Sequence, residues 1–266
     1  MAYSLRAVGL FYNKFGGEVK LVSNRDIIAI EDAMGHITIR TNTAPPTTAA
    51  LNDLKRALNR AFPDCVCQQI IYTKNEDKLF FGMSVYPDIT DEEVIHIITR
   101  DEPVRVTKYT LEIDSKLLDP LLNLTSRELT AVVLHEVGHM TNTSAPVEEV
   151  RKAIDGYLAL NDESLKLADS SNYIYILKFA IQDTLLKVTS VFYDKDEEFK
   201  ADTFAVKYGY GPDLESAMTK IYNHGLILNK DVNDKFIVLA WALRLYKDVK
   251  LRRIAALRAI NRAKSL

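Results

Sequence analysis

The stretch "ELTAVVLHEVGHMTN", residues 128–142, holds two histidines four apart, His135 and His139, with Glu136 directly after the first. On an α-helix, residues four apart share one face, one turn above the other. Two imidazole nitrogens can then point at one ion, and Glu136 projects beside them, where it can reach a water held by that ion. This is the mechanical content of the H-E-x-x-H pattern, and the chemistry it suits is hydrolysis by a zinc-activated water. The helix is otherwise apolar on its inner side, at Leu129, Val132, Val133 and Val137, so the histidines sit at a buried edge. Unpaired buried imidazoles are costly, and a metal would satisfy them. Gly138 costs about 1 kcal/mol against alanine inside a helix, which makes sense if something approaches the backbone closely there.

A catalytic zinc uses three protein ligands and keeps a fourth position for water. No further histidine follows at a useful spacing, since the chain after His139 reads "MTNTSAPVEEV". His36, His96 and His224 have no patterned relation to the pair and read as surface or core residues. The better candidate lies in "YDKDEEFKADTFAVKYG", residues 193–209, where Glu198 and Asp202 are again four apart. Glu198 can bind the metal. Asp202, one turn on, can accept a hydrogen bond from a ligand histidine's other nitrogen and fix its tautomer. Ala201 is small and lets two helices approach. Glu197 competes with Glu198, but it points about a quarter-turn away and its own partner one turn on is Ala201. These acids also suit a solvated helix start.

The elements that must carry these residues follow from periodicity and punctuation. Thr125 and Glu128 form a capping-box pattern that opens the helix with "HEVGH", and Thr90 with Glu93 forms another. Apolar residues at Leu51, Leu54, Leu58 and Ala61 predict a helix over 51–62. "VCQQIIYT", "KLFFGMSVY" and "VRVTKYTLEID" predict strands, the first two joined by a turn near 75–77. Residues 1–43 are rich in β-branched and aromatic residues and predict short strands, such as "HITIRT" at 36–41, with turns at 16–17 and 34–36. "TNTAPPTTAA", 41–50, reads as a linker. Beyond about residue 115 helices are expected near 146–160, 165–193, 195–208, 212–224 and 232–263. The fold class is therefore α+β, with residues 1–45 as an N-terminal extension and 46–266 as the main domain.

Composition narrows the function classes. The chain has 266 residues, 47% of them hydrophobic, enough for a sizeable core. Lys+Arg (34) and Asp+Glu (36) nearly balance and no basic tract stands out, which argues against nucleic acid as the partner. The most apolar run, 173–192, is broken by Lys178, Asp183 and Lys187, so no membrane span is expected, and "MAYSLRAVGLFYNKFGG" has no long apolar core or small-residue cleavage site, so no signal peptide is expected. Cys65 and Cys67 are too close for an unstrained disulfide and read as buried reduced thiols. A soluble protein of a reducing, cytoplasmic compartment is the expectation, with oligomeric state open.

"HEVGH" followed by "EFKAD" resembles the zinc-dependent gluzincin metallopeptidases of the HtpX and CaaX-prenyl-protease type, whose pattern is H-E-x-x-H and then E-x-x-x-D with alanine before the aspartate. "YTLEIDSKLLDPLLNLTSRELTAVVLHEVGH", 109–139, is similar to their strand, short helix and active-site helix. "ADTFAVKYGYGPDLESAMTKIY", 201–222, resembles the segment after their third ligand, and "LRRIAALRAI", 251–260, their C-terminal arginine-bearing helix with Arg253 at the matching position. The resemblance covers roughly residues 75–260. It implies a zincin-like fold with a small β-containing N-terminal lobe and a mainly helical C-terminal lobe. It further implies one Zn2+ per chain on His135, His139 and Glu198, Glu136 as catalytic base, Asp202 behind the ligands, and protein or peptide substrates. Members usually carry hydrophobic membrane segments and a His-Pro pair before the arginine. This chain has neither, and Lys247-Asp248 stands at the comparable place. Lys247 and Arg253 are thus the expected supports of the active site. The expected substrate is an extended chain added to a sheet edge, supplied by strand 104–114 or the segment before it. The competing expectations are a catalytically silent structural or assembly protein on the same fold, and a latent, self-processing protease.

Overall fold

The computed structural model describes residues 22–41, 44–74, 82–141, 144–160, 170–189, 195–228, 251 and 253–262. The first described element is a helix, α1 (Asn24–Thr41), and over these residues not the strands expected from their composition. Its buried residues Ile27, Ile30, Met34 and Ile37 recur at three- and four-residue spacing, which is a helical stripe. β-branching lowers helix propensity by roughly 0.5 kcal/mol per residue, and burial of such a stripe outweighs that. The expected strand at 36–41 is the end of α1, and the expected turn at 34–36 lies inside it. The expected turn at 16–17 lies outside the described residues.

α1 packs on α2 (Thr48–Ala61), which opens on Thr47, whose side chain accepts from the Ala50 N–H. Next come β1 (Val66–Thr73), β2 (Met83–Pro87), α3 (Asp91–Thr99), β3 (Val104–Arg105) and β4 (Lys108–Asp114). The expected turn at 75–77 lies outside the described residues. Residues 104–114 are two strands, not one. Val104–Arg105 pairs antiparallel with β5 (Ser144–Ala145), while Lys108–Asp114 becomes the middle strand of a sheet ordered β1-β4-β2. β1 runs parallel to β4, with Ile70 opposite Leu111, and β2 runs antiparallel, with Val85 opposite Leu111. Within 104–114, the part that forms β4 cannot offer the expected free edge, because β1 and β2 flank it; β3 pairs on one side only, with β5, and the borders of the larger sheet are β1 and β2.

After a 3-10 turn at Ser115–Leu118 comes α4 (Ser126–Thr141), the helix of the His-Glu-His motif. Both expected capping boxes form. The Glu128 N–H donates to Thr125 Oγ1 at 3.2 Å and the Thr125 N–H to Glu128 Oε2 at 2.7 Å; Thr90 and Glu93 repeat the pair at α3. α4 is buried on most of its circumference because α1, α7 (Lys195–Lys207), α8 (Gly211–Leu228) and β2 all pack on it. Gly209, at φ +89°, closes α7 in the left-handed conformation that favours glycine, so α8 can start within two residues. α5 (Val147–Leu160) packs on α6 (Ser170–Thr189), which also touches α3, β2 and β5. Residues 253–262 form the last described helix, α9.

The architecture is mixed α+β, mostly helical, with two small sheets among the described residues. None of the described helices is long and apolar enough to cross a membrane. Cys65 and Cys67 are free and buried, and burial pushes their thiols up to about 12 and about 11.

One buried charge ties α4 to α8. Glu128 accepts from Ser216 Oγ at 2.6 Å and Lys220 Nζ at 2.8 Å as well as from Thr125. Burial disfavours its charge, but Lys220, Ser216 and Thr125 outweigh that and hold the carboxyl below the usual range. A depressed carboxylate stabilises the fold above its unfolded pKa of about 4.3, and that contribution fades as pH falls through the lower, folded value. Glu128→Gln is expected to cost about 1.5–3 kcal/mol at pH 7. The gap to wild type should narrow below about pH 4, as chemical denaturation at several pH values will register.

Candidate metal centre

Helices α4 and α7 cross where each has its smallest residue. A Cβ built on Gly138 would lie 2.9 Å from Phe204 Cβ, closer than real Cβ atoms tolerate, and a tight 3.1 Å from Ala201 Cα. The glycine expected to admit a close neighbour and the alanine expected to permit it thus face one another. This crossing brings the short side chain of Glu198 to the two histidines. His135, His139, Glu198 and Asp202 are 6%, 4%, 3% and 2% exposed, so water screens none of them well.

The three expected ligands converge. His135 Nε2 and His139 Nε2 are 3.2 Å apart, His139 Nε2 is 3.3 Å from Glu198 Oε1, and His135 Nε2 is 3.6 Å from Glu198 Oε2. Ligand bonds of about 2.0–2.1 Å arranged tetrahedrally give ligand-to-ligand edges of about 3.3 Å. The imidazole–imidazole edge has that size, the two histidines approach different oxygens of Glu198, and one ligand atom from each residue lies within 4.8 Å of the others, a donor set that suits zinc. Among the described residues this is the one group of three His, Cys, Asp or Glu side chains close enough to hold a metal.

The tautomer of His135 follows from its other nitrogen. Nδ1 lies 2.9 Å from Asp202 Oδ1, so Nδ1 carries the proton and donates, and the Nε2 lone pair faces His139 and Glu198. Asp202 thus stands where its place one turn beyond Glu198 suggested. Its carboxylate also takes a two-pronged contact from Arg253, Nη2 to Oδ1 at 2.7 Å and Nε to Oδ2 at 3.1 Å. Arg253 Nη1 contacts Glu198 Oε2. Burial opposes the charge on both carboxylates, but the guanidinium, helped by the imidazoles, holds Glu198 and Asp202 below the usual carboxylate range. Burial likewise works against a charged His139, and Glu198 and Glu136 more than offset it.

Glu136 is half-buried in a stretch of α4 whose neighbours are buried. Its charge is felt at His139, at Arg253 and at Tyr86 on β2, so it lies near all three. Tyr86 was not singled out by any motif. It stands on the outward face of β2 and donates to Glu112 Oε2 at 3.0 Å, while Thr73 donates to Glu112 Oε1 at 2.9 Å. Only strand pairing brings these three residues together, so no local pattern marks them. Lys247 lies outside the described residues. His36 and His96 are exposed, His224 is partly buried, and the metal-sized cluster includes none of them.

Residues 113–260, more than half of the chain and including every residue of this cluster, match the model of a protein family described as Peptidase family M48. No curated protein and no solved structure matches the chain.

The helix crossing gives a test in which helix propensity and packing have opposite signs. Gly156 on α5 is exposed, and a Cβ there would meet nothing within 4 Å. Gly156→Ala is expected to raise stability by up to about 1 kcal/mol. Gly138→Ala should instead lower it by about 1–3 kcal/mol and weaken metal retention. Thermal unfolding and metal analysis of both variants check this, and equal signs would count against the tight crossing.

Proposed function

This chain belongs to peptidase family M48, and we propose that it is a zinc-dependent endopeptidase of the gluzincin, HtpX and CaaX-protease-like type, with zinc on His135, His139 and Glu198. The observation that carries the proposal is the buried triangle of two imidazole nitrogens and a carboxylate, with a second carboxylate, Glu136, next in sequence to His135. Zinc bound there would lower the pKa of a water towards about 7 and polarise a carbonyl.

The chain's own residues then divide the work. His135 and His139 offer their Nε2 lone pairs, and Asp202 holds the Nδ1 proton of His135 so that the lone pair stays on Nε2. Glu136 takes a proton from the attacking water and hands it to the leaving amine nitrogen. Its partial exposure suits a base that must meet water, while the ligands behind it stay dry. Substrate is an extended protein or peptide segment laid along β2, which pairs with β4 on one side, packs on α4 and carries Tyr86 towards Glu136. The free, buried thiols of Cys65 and Cys67 suit a reducing compartment.

A silent scaffold is the reading that this mechanism must beat. Glu136→Gln keeps the shape and removes the proton acceptor. It is expected to remain folded and to keep one zinc per chain while losing 10²–10⁴-fold or more in rate, roughly 3–5 kcal/mol of barrier. His135→Ala should lose the zinc itself. Metal analysis and cleavage of an unfolded protein such as casein decide the matter, and undiminished cleavage by Glu136→Gln would refute the base.

A further inference from the structure

We propose that Arg253 is the positioning residue of the metal centre and that it confines Glu198 to a single ligating oxygen. The proposal rests on the reading of the cluster as a metal centre and adds how the ligands are held.

The two oxygens of Glu198 face different partners. Oε1 lies 3.3 Å from His139 Nε2. Oε2 lies 3.6 Å from His135 Nε2 and is in contact with Arg253 Nη1. A carboxylate can bind a cation through one oxygen or through both. With Nη1 engaged on Oε2, Oε1 is the oxygen left for the metal. The guanidinium cannot swing away to release Oε2, because its Nε and Nη2 are forked onto Asp202 at 3.1 Å and 2.7 Å. Asp202 Oδ1 in turn accepts from His135 Nδ1 at 2.9 Å. One planar group therefore orients two of the three ligands, Glu198 directly and His135 both through Asp202 and by lying against its ring, with Nη2 3.3 Å from Nε2. The guanidinium stays charged at every working pH and fits two acceptors in one plane, which a lysine ammonium cannot do.

Arg253 reaches the site because α9 is docked on the body of the fold. Ile254 and Leu257 are buried, and Arg258 and Asn261 both donate to Glu215 of α8, at 2.7 Å and 3.1 Å. The consequence is chemical. Two histidines and one carboxylate oxygen leave the fourth tetrahedral position for water, whereas a two-oxygen Glu198 would crowd that position and raise the coordination number.

The test uses the cobalt(II)-substituted full chain, whose visible absorption reports coordination geometry. Wild type is expected to give the strong bands of a four-coordinate ion. Arg253→Met should weaken them severalfold, as Glu198 gains its second oxygen. Asp202→Asn loosens the fork that holds Arg253 on Glu198, so its cobalt affinity should fall about 10–100-fold and its bands should move in the direction of Arg253→Met. A role confined to docking α9 would lower thermal stability without moving the spectrum. If Arg253→Met does not fold, Arg253→Lys decides, because a lysine cannot hold both carboxylates and its spectrum must still depart from wild type. Cobalt uptake with one spectrum for wild type and the Arg253 variant that folds overturns the role of Arg253 alone. A wild type that takes up no cobalt removes the metal centre and this proposal together.

Discussion

The close crossing of α4 and α7 is the constraint on which the site depends. His135 and His139 belong to one helix and Glu198 to another, and a ligand triangle with edges of 3.2–3.6 Å leaves little room for error. Glutamate is short, so the backbones must come close before its carboxylate can meet two imidazoles. Gly138 and Ala201 make this possible by removing side chain from the contact, and Phe204 fills the space beside them. The ligands therefore sit beside the crossing itself: Gly138 adjoins His139, and Ala201 lies between Glu198 and Asp202 in sequence.

Everything around α4 holds that crossing in place. α1 covers it with an apolar stripe, α8 is tied to its first turn through Glu128, and β2 packs along it. Burial on so many sides has an electrostatic consequence. Glu198 and Asp202 are both charged where water cannot solvate them, which is tolerable only with a partner of opposite sign and with most hydrogen-bonding positions filled. Arg253 and the imidazoles supply the opposite charge, and Arg253 and His135 supply the hydrogen bonds of Asp202, while both Glu198 oxygens are left without a hydrogen-bond partner among the described residues. The same low-dielectric setting that makes the carboxylates costly strengthens their hold on any cation placed between them.

The sheet gives the site its direction. β4 is central, so the border facing α4 falls to β2, and the polar outward face of β2 puts Tyr86 within the field of Glu136. The substrate path proposed along β2 rests on sheet order, helix packing and the half-exposure of Glu136.

What the sequence determined by itself is what depends on short separations. The four-residue spacings of His135 with His139 and of Glu198 with Asp202, the two capping boxes, strand β1 and the helix read over 51–62 were all legible, because each is set by atoms within one or two turns of the chain, although that helix begins at Thr48, inside the stretch read as a linker. Gly138 was legible as an anomaly, a residue unfavourable for its helix that had to be explained by a neighbour. Other features were decided by tertiary structure. The β-branched residues of α1 suggest strands until the helices they pack against are in place, and burial then outweighs a small local preference. Residues 104–114 read as one strand, but β3 and β4 take different partners, one from residue 144 onward and the other from both β1 and β2. Which strand lies at the border is likewise a property of pairing order, not of any strand's composition. Arg253 was marked only by resemblance to other sequences. Its grip on Glu198 and Asp202 spans more than fifty positions and arises only because α9 packs against α8, a contact whose energy lies in burial and long-range charge and leaves no periodic trace in the chain.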